Sequence, residues 1–324
     1  MNVSGNDLRL LADVGGTNAR FALQTGGGQF EHIEVLACAE YATLSDAMTA
    51  YLAKAAQAGY PVASIRHAAI AIANPVEGDT VSMTNHHWSF SISDLRSERD
   101  LATLLVVNDF AALAMSLPYL QPHQRERIGG GIELSGRPIG LIGPGTGLGV
   151  AGVIPAGGRW VALAGEGGHT SFAPANRDEV AILDALWNEY GHVSAERLLS
   201  GLGLELIHRC QSGQKLAAPE ITRQALDGSC AHCTRTVETF CAVLGSVAGN
   251  VALTLGATGG MYIGGGIVPR LGALFSQSAF RRRFEDKGRL SAYLARVPTY
   301  LITEPYTALR GASAMLADHI AGEP

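Results

Sequence analysis

Short apolar runs at residues 8 to 12, 19 to 23, 68 to 73, 104 to 107, 139 to 142, 148 to 154 and 261 to 263 are bounded by glycine, proline or polar residues, and most read as β-strands. Longer segments with helical spacing of apolar positions lie between and beyond them, at about 43 to 58, 110 to 117, 178 to 190, 194 to 210, 219 to 227, 233 to 255 and 307 to 320. Strands alternating with helices predict an α/β architecture. From Thr239 to Pro269 the chain carries no charge, a length that could span a bilayer, but its eight glycines and its ending on "MYIGGGIVP" predict a buried helix followed by a buried strand. No low-complexity linker interrupts the pattern. The proline-bearing turn in "SLPYLQPHQRE" is the best candidate hinge.

Two stretches echo each other about 130 residues apart: "LLADVGGTNARFAL" and "IGLIGPGTGLGVAGVI" both run apolar, glycines around a threonine, apolar. The repetition predicts two related lobes. The residues after the glycines show no helical period, so each copy reads as a β-hairpin. That separates them from a Walker loop, which needs a lysine, and from a dinucleotide fingerprint, whose glycines open a helix. Bare backbone still lets successive N–H groups converge on a phosphate, with the threonine hydroxyl as a further donor. The candidates are Ala12, Asp13, Val14, Gly15, Gly16, Thr17 and Asn18 in the first turn, and Gly145, Thr146, Gly147 and Gly149 in the second. Asp13 is placed to hold Mg²⁺, directly or through water. The competing reading is a pair of tight turns whose glycines supply positive φ. A third glycine run, Gly264, Gly265 and Gly266 after a strand, favours the phosphate reading.

In "LLVVNDFAAL" a buried strand gives way to Asn108 and Asp109 and then to a helix. Strand C-termini of open α/β sheets are where ligands bind, and an aspartate there can accept a proton from a hydroxyl. Capping of the helix is the alternative. "LAGEGGHTSF" sets Glu166 and His169 across two glycines, a pairing suited to polyol hydroxyls, or else an ordinary surface loop. In "GHVSAERLLSG", Glu196 falls in the first turn of a helix capped by Ser194, where the helix dipole alone favours an acid. Asn85 in "MTNHHWSF" is a plausible hydroxyl ligand. The neighbouring His86 and His87 are expected to project in divergent directions, which argues against a shared metal.

Charge and cysteine content narrow the classes. The net charge of -5 gives no electrostatic case for nucleic acid or an anionic membrane. Lysines are confined to Lys54, Lys215 and Lys287, so none supports the first glycine turn. The N-terminal stretch lacks a basic and apolar leader pattern, which predicts a cytoplasmic protein. Five cysteines predict free thiols. Cys230, His232 and Cys233 in "CAHC" lack a second ligand pair at finger-like spacing, so a structural metal is not expected.

Taken together, "DVGGTNARFAL", "VVNDFAALAMSLP", "GPGTGLGV", "GEGGHTSFAP", "GHVSAERLLSGLGL" and "IGGGIVPR" resemble the signature segments of the bacterial glucokinase family, within the hexokinase, actin and heat-shock chaperone ATPase superfamily. The resemblance runs in order over nearly the whole chain. It implies a two-lobed actin-like fold of duplicated ribonuclease H-like domains, with residues 1–118 and about 309–324 forming a small lobe, 119–308 a large lobe, and a cleft between. The implied activity is ATP- and Mg²⁺-dependent phosphorylation of D-glucose at the C6 hydroxyl, the first step of glycolysis, usually in a homodimer. Carried over by motif, Asp109 is the general base. Asn108, Glu166, His169 and Glu196 become sugar ligands with Asn85 in support, the two hairpins become phosphate turns, and Gly264 to Gly266 lie near the adenosine.

Ala12 and Pro144 depart from the family pattern; Pro144 lacks an N–H and stiffens the second turn. No cysteine surrounds His169, unlike the related kinases and repressors that carry a cysteine-rich zinc loop there. A sugar-responsive repressor is not expected, because the first phosphate turn begins at residue 13 and leaves no room for a helix-turn-helix. A polymerising or chaperone ATPase would not need Glu166, His169 and Glu196.

Overall fold

The computed structural model describes residues 8–26 and 28–322. Residues 1–7, 27 and 323–324, which include the outermost parts of the expected small lobe and the first part of the stretch read for a leader, lie outside the described residues. The chain divides into two compact units, Met1–Tyr119 with Pro305–Pro324, and Leu120–Glu304.

The first unit is built on a five-stranded sheet of β1 (Arg9–Val14), β2 (Asn18–Gln24), β3 (Phe30–Ala37), β4 (His67–Ile72) and, beyond a small hairpin of β5 (Thr80–Ser82) and β6 (Ser89–Ser91), β7 (Thr103–Asn108). Its order is β3-β2-β1-β4-β7, with β1, β2 and β3 antiparallel and β4 and β7 parallel to β1. The period-2 alternation divides the side chains between two faces. Leu10, Ala12, Phe21 and Ile70 pack with the Leu44–Gln57 helix, where Tyr51 stacks on Phe21 with ring centroids 5.1 Å apart. Leu11, Ala22, Ala69 and Ala71 pack on the other face against Ala112, Leu309, Ala312 and Leu316. Small residues there admit the C-terminal Thr307–Gly322 helix closely. A Cβ on Gly311 would fall 1.6 Å from the Ala112 carbonyl oxygen, so glycine lets this helix lie against the backbone of the Asp109–Ser116 helix.

The second unit repeats the plan. Its strands are β8 (Arg125–Gly129), β9 (Ile139–Pro144), β10 (Leu148–Ala156), β11 (Arg159–Gly165), β12 (Gly260–Ile263) and β13 (Thr299–Ile302), ordered β11-β10-β9-β12-β13-β8. Apart from β8 on the edge, this is again a three-strand antiparallel meander followed by two parallel strands. The two related lobes expected from the echoed hairpins, with the duplicated ribonuclease H-like α/β plan that the family resemblance implies, are therefore present.

The charge-free stretch forms most of the Ala231–Leu255 helix, closed by Gly256 in the left-handed region (φ 62°), and β12. Its most apolar window is 72% buried, which makes it the core helix of this unit. Gly245 and Gly249 bring the Phe280–Glu285 helix into backbone contact, since a Cβ at either would lie 2.2 or 2.6 Å from a carbonyl oxygen of Phe280 or Phe284. Beside it Arg283 donates to both oxygens of Glu179, at 2.7 and 3.1 Å, and to Ser246 Oγ at 2.9 Å. Glu179 also accepts from the Ala175 N–H and the Asn176 amide, so this buried pair is fully hydrogen-bonded.

Two expectations change. The segment 194 to 210 is two helices, Ala195–Leu198 and Gly201–Ser212, because Ser200 caps a new start by accepting from the Gly203 N–H at 3.2 Å. Strands β3, β5, β6, β8, β11 and β13 go beyond the apolar runs: β3 and β8 are sheet edges that mix polar with apolar residues, β5, β6 and β13 are only three or four residues long, and β11 is a largely exposed edge whose residues after Arg159 are apolar.

Removing one partner of the Glu179–Arg283 pair strands a buried charge, a loss of about 3–5 kcal/mol. Glu179→Ala should therefore lower the unfolding free energy of the second unit by that order in chemical denaturation; a change below about 1 kcal/mol would contradict the role given to this pair.

Candidate active site

In the first unit, the register aligns the C-terminal ends of three strands: Val14 of β1 pairs with Ile72 of β4, and Ile72 with Asn108 of β7. The Gly15–Thr17 turn, Asn74 and Asp109 therefore emerge at one end of the sheet, the end at which α/β proteins bind ligands. Asn108 caps the Asp109–Ser116 helix, its side-chain oxygen accepting from the Ala111 N–H at 3.1 Å, and its amide donates to the Asn74 carbonyl at 3.4 Å. Capping falls to Asn108, which leaves Asp109 as the first helical residue, with Oδ1 accepting from the Phe110 N–H at 2.8 Å.

Asp13 lies directly opposite Arg20 across the β1–β2 hairpin, and Arg20 Nη1 donates to its Oδ2 at 3.0 Å. Burial pushes the Asp13 carboxyl above the ordinary value, and the Arg20 guanidinium works against that rise. The turn itself closes by Gly15 N–H to the Asn18 carbonyl (2.9 Å) and is held from behind by Cys38, whose N–H donates to Thr17 O (2.9 Å) and whose thiol donates to Gly15 O (3.4 Å). Among the described residues, the N–H groups of Gly16 and Thr17 have no hydrogen-bond partner.

Asn85 sits in the loop of the β5–β6 hairpin, exposed and next to that turn; a Cβ on Gly16 would meet its carbonyl oxygen at 3.0 Å. Two buried groups anchor the loop: Trp88 donates from Nε1 to Tyr41 O (3.0 Å), and Asn74 Oδ1 accepts from the Thr84 N–H (3.1 Å). The His86 and His87 rings do not diverge. The hairpin bend brings their centroids to 4.2 Å, and burial together with the neighbouring His87 lowers the His86 pKa.

In the second unit, the β9–β10 turn closes by Gly145 N–H to Gly147 O (2.8 Å). As in the first turn, the next two N–H groups, of Thr146 and Gly147, have no partner among the described residues. None of Gly15, Gly16, Gly145 and Gly147 has positive φ, so the turns do not need glycine for backbone conformation. What glycine provides at Gly16 and Gly147 is close approach. A Cβ on Gly147 would lie 2.4 Å from Glu196 Oε2, and that same oxygen accepts from the Leu148 N–H at 2.9 Å. Gly149 lies within β10. The run Gly264–Gly266 leaves β12 and covers the turn: Gly264 donates to Ile142 O (2.8 Å), and Gly265, at φ 78°, has no room for a side chain because a Cβ would fall 2.3 Å from Pro144 O.

Glu166, His169 and Glu196 come together. The Glu166–His169 and His169–Glu196 pairs each stand 3.9 Å apart, with side chains 66%, 59% and 32% exposed. At that distance neither pair is directly hydrogen-bonded. Gly167 and Gly168 press their loop onto β10, where Cβ atoms would clash with Val150 and with Leu148 O, and the Ala195 N–H donates to Thr170 O at 2.8 Å, tying the Glu196 helix to the same loop. Ser194 caps that helix, so Glu196 has both the dipole-favoured place and a specific partner in Leu148.

The sequence reading missed Arg20, Asn74 and Cys38. Arg20 was available from hairpin register, since it lies inside "DVGGTNAR". Asn74 and Cys38 act through contacts made by distant segments and left no local signal.

The glucokinase family model matches residues 10–319. A glucokinase of Chromobacterium violaceum is 56% identical over 97% of this chain and 90% of its own length. A bifunctional protein of Burkholderia pseudomallei is 54% identical over 96% of this chain, which spans about half (49%) of that longer protein. The crystal structure of a glucokinase from an Antarctic psychrotroph superposes with a TM-score of 0.86 at 36% identity, covering 96% of this chain and 99% of the other. With a family match over nearly all its length and an identity above one half to a glucokinase of similar size, the chain belongs to the glucokinase family.

Proposed function

We propose that this chain is a glucokinase that transfers the γ-phosphoryl group of ATP to the C6 hydroxyl of D-glucose, giving glucose 6-phosphate and ADP. The observation that carries the reading is the Glu196 carboxylate, which faces His169 with one oxygen and holds the N–H after the glycine turn with the other. One side chain thus joins a polyol-type group of carboxylates and imidazole to a turn with unpaired N–H donors. A nucleoside triphosphate needs such donors and a sugar needs such carboxylates.

In this reading Glu166, His169 and Glu196 bind the sugar hydroxyls, with Asn108 and Asn85 as further ligands. Asp109 accepts the proton of the C6 hydroxyl as that oxygen bonds to the γ-phosphorus and the bond to the ADP oxygen breaks. Its place at the end of a buried strand, with the adjacent residue serving as the cap, supports the assignment. The turns Asp13 to Asn18 and Gly145 to Gly149 bind phosphates, and Gly264 to Gly266 lie near the adenosine. Asp13 fits a Mg²⁺ role, because a single carboxylate beside a phosphate turn is the protein donor set this ion takes when phosphates and water complete its shell. Bound there, Mg²⁺ would neutralise charge on the phosphates. Five unpaired cysteines suit a reducing cytoplasm, and the homodimer belongs to the reading on family grounds.

Asp109→Asn should lower kcat for glucose phosphorylation by about 10²- to 10⁴-fold with the glucose KM within a few-fold of the parent; near-normal turnover would remove Asp109 as the base. A second pair of variants separates the turn from the acid. Gly147→Ala forces the Glu196 carboxylate away and should raise the glucose KM about tenfold or more. Gly145→Ala meets no protein atom within 4 Å, so its loss should fall on the ATP KM alone. Equal effects of both variants on glucose would contradict the assignment.

A further inference from the structure

We propose that Cys230, Cys233 and His208 form a binding site for one zinc ion in the second unit, separate from the residues given to the kinase reaction. The three ligand atoms lie within 4.8 Å of one another, which no other group of three or more histidines, cysteines and acidic residues achieves among the described residues. The two cysteines alone gave the sequence no reason to expect a metal. Folding supplies the third ligand from a different helix.

The geometry suits the ion. Cys230 caps the Ala231–Leu255 helix, its sulfur accepting from the Cys233 N–H at 3.4 Å, and Cys233 stands one turn inside. The helix N-terminus favours the thiolate of Cys230, whereas burial pushes the Cys233 thiol up, so the ion itself displaces that proton. His208 is buried on the Gly201–Ser212 helix, with Nδ1 3.1 Å from the Gln214 carbonyl oxygen. A carbonyl can only accept, so Nδ1 carries the hydrogen and Nε2 keeps its lone pair. This is the arrangement in which a backbone carbonyl fixes the tautomer of a metal-ligating histidine. Tetrahedral zinc with two sulfurs and a nitrogen places its ligand atoms about 3.5–3.8 Å apart, so side-chain shifts of about 1 Å complete the site. Soft thiolate with imidazole selects zinc over hard cations such as Mg²⁺. On binding, each thiol loses its proton to solvent and a water takes the fourth position, for which the half-buried Cys230 leaves access.

The ion would staple the end of the Gly201–Ser212 helix to the start of the core helix. The opposite end of the first helix donates from the Gly201 N–H to Gly145 O at 3.0 Å, so the staple braces the element behind the second glycine turn.

Cobalt(II) titration of the full-length protein, reduced and stripped of metal by a chelator, tests the site. One cobalt per chain should bind with thiolate-to-metal charge-transfer absorption, zinc should displace it, and zinc should raise the thermal midpoint. Cys230→Ser keeps an oxygen cap on the helix and should weaken zinc binding about 100-fold or more while far-ultraviolet circular dichroism stays unchanged. Absence of the absorption in excess cobalt, or an unaltered zinc affinity in Cys230→Ser, would overturn the proposal. Neither outcome depends on the kinase activity.

Discussion

The Glu196 carboxylate reaches the Leu148 N–H at 2.9 Å only because the residue before Leu148 has no side chain; a Cβ there would stand 2.4 Å from the same oxygen. Much of the second unit's site follows from that approach. The acid is held at the head of a short helix, that helix is tied to Thr170, and the Glu166–His169 loop is pressed onto the strand that begins at Leu148. Replace the glycine and the carboxylate must leave, taking with it the partner that His169 faces. The constraint is one of space rather than of backbone conformation, since the glycines of both hairpin turns have ordinary negative φ.

The same logic recurs through the fold. Gly311 brings the C-terminal helix against the Asp109–Ser116 helix, Gly265 lets one glycine run lie on the end of another strand, and Gly245 and Gly249 seat a helix on the core helix. A Cβ at any of these positions would lie 2.6 Å or less from a backbone oxygen. Close backbone contact at these glycines leaves the packed elements little room to shift, because interiors packed to crystal density transmit displacement instead of absorbing it. Both sheets share the order of an antiparallel meander followed by two parallel strands, so the two turns, whose N–H groups lack partners among the described residues, are the same feature used twice.

Much of this was legible in the chain. Apolar runs marked the buried central strands, and the repetition of glycines around Thr17 and Thr146 announced the duplication. Edge strands β3 and β8 escaped because partly exposed strands mix polar and apolar residues, whereas β11 carries an apolar run after Arg159 that the pattern of strands did not include. Spacing alone could not decide Glu196, since a helix start attracts an acid without any ligand; its bond to Leu148 depends on segments 48 residues apart. Arg20 was recoverable from hairpin register, whereas Asn74, Cys38 and His208 gain their roles from contacts with distant segments. The break at Ser200 was hidden because serine is tolerated within a helix and caps one only when the backbone turns.

The most direct measurement is ³¹P NMR of the products formed when the protein is mixed with Mg·ATP and D-glucose, beside a sample without sugar. The account predicts stoichiometric ADP and a phosphate ester at the C6 oxygen of glucose, with little ATP consumed when sugar is absent. Release of inorganic phosphate at the same rate in both samples, with no sugar ester formed, would contradict it.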